Sequence, residues 1–187
     1  MHRVRTVALA FIVFAGLASC ATPKAPMPAP APAPAPDAAA PPIKINDAGL
    51  AIIKNAEGLR LSPYEAGDGW YVGYGHAIEG PGPAIDQAQA DALLRKDVAL
   101  CERKIGALVT VPVNTNEFSA MVSLCYNLGW QSFGASSIVK RLNAGDRQGA
   151  ADAFLFYDKA TVNGEKQTLP RLHARREKER ALFLQGA

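Results

Sequence analysis

The chain has 187 residues, with 20 Lys+Arg against 17 Asp+Glu, 14 prolines and three cysteines. Nine of the prolines fall between Pro23 and Pro42, so the stretch from about Ile43 onward has the length of one domain with a core, not of two. Setting aside Arg3 and Arg5 of the leading segment leaves a net charge of +1, which argues against a nucleic-acid-binding protein; His76 and His173, without a Cys-x-x-Cys pair, argue against a structural zinc site.

The first nineteen residues read as a targeting segment. Arg3 and Arg5 form its charged end, and Val7 to Ala18 form an apolar run too short to span a bilayer comfortably. The string LASC, Leu17 to Cys20, resembles a bacterial lipoprotein signal, in which cleavage before the cysteine leaves a lipid-modified N-terminus. That resemblance implies residues 1–19 as signal and Cys20 as the lipidated residue. With Ala21 in place of an aspartate, it also implies an outer-membrane lipoprotein facing the periplasm; a plain periplasmic or secreted protein is the alternative. Residues 20–42 carry the anchor and a Pro/Ala-rich linker, which favours polyproline II and reaches about 60 Å from the membrane.

Residues 43–187 read as a mainly α, α+β domain. Asn46 is placed to cap a helix running to about Glu57, with Leu50 and Ile53 on one face and Gly58 as its stop. LRLSPYEAGDGWYVGYGH predicts an irregular hairpin, with GDG as its turn. Asp86 and Gln89 form a capping box before a helix carrying Leu93, Leu94, Val98, Cys101 and Ile105. Asn114 and Glu117 form a second box, with Val113 and Phe118 as a hydrophobic staple, before a helix ending at Gly129. Shorter helices are expected near Ser137–Leu142 and Gln148–Tyr157, and a basic one from Pro170 to Leu184. Cys101 and Cys125 sit on apolar helix faces; buried thiols are the favoured reading, although an exported location permits a disulfide.

Glu57 is the residue whose position is chemical. It lies four residues after Ile53, on the apolar face, in the last turn of its helix. A carboxylate there meets the negative end of the helix dipole and loses solvation, both of which favour the protonated form that a general acid needs. On periodicity alone the plainer reading leads, a Glu-Gly at a helix end whose side chain turns into water.

The surrounding motifs shift that balance. EGLRL (Glu57 to Leu61), Tyr64, GYGH (Gly73 to His76), LLRKDV (Leu93 to Val98) and YNLG (Tyr126 to Gly129) resemble the phage-type (T4-like) lysozymes, glycoside hydrolase family 24. RLNAGD (Arg141 to Asp146), GAADAF (Gly149 to Phe154) and LPRLHARREKERALFL (Leu169 to Leu184) continue the match in the same order. The resemblance implies a two-lobed lysozyme-like fold, a small hairpin or sheet in one lobe and helices in the other, with the cleft between them. It implies a muramidase, needing no cofactor and no metal, that cuts the β-1,4 bond between N-acetylmuramic acid and N-acetylglucosamine. The partners implied are peptidoglycan glycan strands and, through the anchor, a membrane; no nucleic acid is expected, and the protein is expected to be a monomer. A wall-binding scaffold without activity is the rival reading.

By that resemblance Glu57 is the general acid, and His76 pairs structurally with Asp97. The second carboxylate is left open. The family's Asp falls on Ala66 counting forward from Glu57, and on Glu65 counting back from His76, because the hairpin is one residue shorter. Asp68, in the GDG turn, is a third candidate, and the family's Thr position holds Tyr71. Trp70, Tyr71 and Tyr74 suit either sheet packing or stacking on sugar rings. Arg171, Arg175, Arg176 and Arg180 read as a solvated basic face, although the family places one arginine near its catalytic Glu.

Overall fold

The computed structural model describes residues 43–67, 69–162 and 164–186. The leading segment, Cys20, the Pro/Ala linker and Asp68 lie outside the described residues. The domain opens with a clamp that the sequence pattern does not announce. Glu102, buried on a later helix, accepts from the Ile45 N–H at 3.0 Å and from Lys44 Nζ at 2.8 Å, fixing where the chain enters the fold.

Asn46 caps α1 (Asp47–Glu57) through the Gly49 N–H, and Gly49, Leu50 and Ile53 form its buried face. Gly58 ends the helix at φ 72°, in the left-handed region that a Cβ disfavours, and its N–H still reaches Lys54 O. Three antiparallel strands come next, in the order β1 (Arg60–Ala66), β2 (Gly69–Gly73) and β3 (His76–Ile78). The irregularity expected of this hairpin lies between Arg60 and Tyr64, where the β1–β2 register shifts. Pro63 sits in that stretch and has no N–H to give to a ladder. Beyond it the pairing is regular: Tyr64 opposite Tyr71, Glu65 opposite Trp70, Ala66 opposite Gly69.

Both capping boxes form, Asp86 with Gln89 before α2 (Gln87–Leu108) and Asn114 with Glu117 before α3 (Thr115–Leu128). Every residue of α3 from Glu117 to Cys125 is buried, the signature of a helix enclosed on all sides. It packs against α1, α2 and the last helix, α7 (Pro170–Phe183). Between them lie α4 (Trp130–Gly134), α5 (Ser137–Asn143) and α6 (Arg147–Ala153). The helix expected over Gln148–Tyr157 is therefore shorter; from Phe154 to Tyr157 the chain tightens into a 3-10 turn. A second hairpin, β4 (Lys159–Val162) with β5 (Glu165–Thr168), was not anticipated, although Asn163-Gly164 between two short runs is a hairpin signal. No helix among the described residues is long and apolar enough to cross a membrane.

Two expectations are corrected. Cys101 on α2 and Cys125 on α3 are joined as a disulfide, not held as thiols; antiparallel packing of the two helices brings their Cα atoms to 5.9 Å. Only the helix-on-helix register, which no spacing within either helix encodes, makes that bond possible. Nor is the basic helix α7 a solvated face throughout. Arg175, Arg176, Glu179, Leu182 and Phe183 are all buried, in a helical stripe whose charges are matched inside the protein. Arg171 remains exposed, and Arg180 pairs with Asp152 at 2.7 Å.

Candidate active site

The end of α1 places Glu57 beside α7. Arg175 donates from Nη1 to Glu57 Oε1 at 2.7 Å. The arginine side chain is 5% exposed and the glutamate 27%, so the carboxylate is only partly desolvated and keeps a face open to an incoming group. The buried guanidinium is a charge partner for Glu57 that the periodicity of α1 does not announce. Glu57, Asn127, Arg171, Leu172 and Arg175 line a small recess at this point.

His76 and Asp97 pair as expected, with Nδ1 2.9 Å from both carboxylate oxygens. The contact ties β3 to the middle of α2 and so holds the small sheet onto the helical body. A depression bounded by His76, Ala77, Asp97, Tyr126 and Trp130 lies beside it. Tyr126, the aromatic of YNLG, links the two places. Its hydroxyl donates to Tyr74 O at 2.9 Å. Burial drives that hydroxyl well above the usual tyrosine range, and the carboxylates of Asp97 and Glu57 add to the effect. Tyr126 therefore lies within electrostatic reach of both, a role that motif spacing alone does not reveal.

The aromatics divide. Tyr74 is core, 6% exposed, with its hydroxyl accepting from Gln87 Nε2 at 2.9 Å; stacking on a sugar is corrected for this residue, because its ring is enclosed. Tyr64 and Tyr71 pack as a cross-strand pair, ring centroids 5.9 Å apart, and Trp70 is half-buried.

The register of the sheet bears on the second carboxylate. Tyr64 and its cross-strand partner Tyr71 mark one face of the β1–β2 pair. Side chains alternate along a regular strand. Ala66 therefore shares the face of Tyr64, and Glu65, exposed and opposite Trp70, lies on the other. Glu57 and Arg175 are brought together, as are His76 and Asp97; Glu65 is not brought to the Tyr64 face.

The phage lysozyme family matches residues 54–179, which takes in every feature just described. The chain is 42% identical over 141 residues to an endolysin of Acyrthosiphon pisum secondary endosymbiont phage 1, covering 74% of this chain and 97% of the other. It is 36% identical over 149 residues to the endolysin of Salmonella phage P22, covering 76% and 99%. Among solved structures, the muramidase domain of SpmX from Asticaccaulis excentricus superposes with a TM-score of 0.72 at 38% identity, covering 75% of this chain and 97% of that one. The lysozyme-like α+β fold expected from sequence is the fold of this domain.

Proposed function

We propose that this chain, which belongs to the phage lysozyme family, is a membrane-tethered peptidoglycan muramidase that hydrolyses the β-1,4 bond between N-acetylmuramic acid and N-acetylglucosamine. The observation that carries the reading is Glu57, held by a buried Arg175 at the helix end that the family motif marks, with one side of its carboxylate left open. Glu57 protonates the glycosidic oxygen, and the leaving sugar departs as its alcohol. A second carboxylate takes a proton from water on the opposite face of the ring as the water oxygen bonds to the anomeric carbon, a step that needs the two carboxyls roughly 6.5–9.5 Å apart. Asp68 is assigned this role ahead of Glu65. Two points support that order: in the sequence Asp68 is flanked by Gly67 and Gly69, and Glu65 lies on the strand face opposite Tyr64.

The motif spacing favours a second reading, a lysozyme-fold scaffold that binds the wall without cutting it, because Ala66 stands where the family's Asp falls on counting forward from Glu57. Muropeptide analysis of purified peptidoglycan after incubation with the protein separates the two. New reducing ends at muramic acid support the hydrolase; sedimentation with the wall and an unchanged muropeptide profile support the scaffold. The tether belongs to the same proposal. Cys20 carries the lipid, the Pro/Ala linker holds the domain off the outer membrane, and the substrate lies on the periplasmic side.

A further inference from the structure

We propose that Glu179 is a positioning residue for the active site, acting on Glu57 through the guanidinium of Arg175. Glu179 is fully buried. Its Oε1 accepts from Ser123 Oγ at 2.7 Å, from Arg175 Nε at 3.1 Å and from Arg176 Nη2 at 3.1 Å. Arg175 in turn donates from Nη2 to Ser123 O at 3.1 Å and from Nη1 to Glu57 Oε1. A guanidinium is a rigid planar fork. Holding it at Nε and at Nη2 fixes the plane and the direction in it, so Nη1 has one place to point, and Glu57 Oε1 is there. The catalytic glutamate receives its orientation from a carboxylate that never touches it.

Charge balance points the same way. Arg175 and Arg176 face Glu57 and Glu179, so the cluster is neutral with Glu57 ionised and gains one positive charge when Glu57 takes a proton. Burial pushes the Glu179 carboxyl up, opposed by the two guanidiniums, and pulls the Arg176 guanidinium down. Arg176 Nε lies 2.8 Å from Glu179 Oε2 without the alignment of a hydrogen bond, and Nη1 has no partner among the described residues. Asp158 also faces Arg176 and holds His173 at 2.8 Å, Tyr126 faces Glu57, and Asp152 engages Arg180. None of these reaches Arg175 within hydrogen-bond distance, so Glu179 is the carboxylate that sets its other side.

The proposal rests on Glu57 as the acid, and its test reads the cluster without substrate as well as with it. In the full chain, the Arg175 Nε–H and the Glu57 side-chain carboxyl are followed by nuclear magnetic resonance, in wild type and in Glu179→Gln. A second variant, Arg176→Met with Glu179→Leu, removes the buried pair together and leaves no orphan charge, a replacement that proteins tolerate. Exchange of the Arg175 Nε–H is expected to quicken at least about tenfold in both variants. The Glu57 side-chain carboxyl resonance is expected to shift in Glu179→Gln, because the guanidinium that it accepts from is no longer held on its other side. Cleavage, where wild type shows it, falls about 100-fold in kcat with KM little changed. A folded variant with unaltered Arg175 exchange and an unaltered Glu57 carboxyl resonance overturns the proposal. Wild type that fails to cleave, with the resonances changing as expected, removes the muramidase reading and keeps the positioning role.

Discussion

Arg175 and Glu57 stand 118 residues apart in the chain and 2.7 Å apart in the fold. The contact joins the last helix to the first, so the chemistry of the site depends on the whole domain having closed.

Glu57→Gln keeps the size of the side chain and removes the proton that the proposed mechanism takes from Glu57. Cleavage should fall by on the order of a thousandfold or more, while sedimentation with purified peptidoglycan is retained. Asp68→Asn and Glu65→Gln then identify the partner carboxylate. The proposed assignment leads us to expect a comparable loss from Asp68→Asn and a change of less than about threefold from Glu65→Gln. Reducing-end release measures all three, and the opposite ranking of the last two would transfer the role to Glu65.

His76 and Asp97 couple the small sheet to α2, with about a quarter or less of each side chain exposed. A double-mutant cycle with His76→Ala and Asp97→Ala should return a coupling of about 1 kcal/mol in urea unfolding at pH 7. Additive losses would show that the contact is geometric only.

The Cys101–Cys125 disulfide closes a loop between helices 24 residues apart in sequence. Cross-linking restricts the unfolded chain, so Cys101→Ala with Cys125→Ala should cost about 3 kcal/mol, read as a lower melting temperature under oxidising conditions. The same drop should accompany reduction of the wild type. An unchanged melting temperature on reduction would remove the bond from the account of stability.

Four surface groups contribute to the pH dependence of stability. The hydrogen bond to Asp91 raises the Lys54 ammonium, and that from Lys54 lowers Asp91. Asp152 is lowered by Arg180, and Asp146 by the Gly149 N–H and then Arg141. A depressed carboxylate contributes stability above its unfolded value, about 3.9, and loses it as pH falls through the lower folded value. Raised Lys54 contributes below about 10.4 and loses that contribution as pH climbs through its folded value. Calorimetry from pH 7 to pH 2 should show a shallower acid limb for the triple variant Asp91→Asn, Asp146→Asn, Asp152→Asn than for wild type. Parallel curves would count against these pairs.

The anchor is tested by fractionation. Cys20→Ser should leave the protein unprocessed or release it from the membrane fraction, since thioether formation needs the thiol. A single acyl chain binds only marginally, so retention in wild type also implies more than one chain. A processed Ser variant that still sediments with membranes would refute lipidation at this position.

Local chemistry wrote much of this protein into its sequence. Asn46, the Asp86–Gln89 and Asn114–Glu117 boxes and the stops at Gly58 and Gly129 place five boundaries of three helices, because caps satisfy backbone groups within a few residues of themselves. Family motifs marked Glu57 and the His76–Asp97 pair for the same reason: the signal is short strings in a fixed order. What needed the tertiary structure is whatever depends on how one element lies on another. Arg175 and Arg176 read as surface because charge is ordinarily solvated, and only Glu57 and Glu179 meeting them makes burial tolerable. Cys101 and Cys125 became a disulfide through the approach of α2 to α3. Glu65 was set on the strand face opposite Tyr64 by the β1–β2 register, where a shift of one residue turns a side chain to the other face of the sheet.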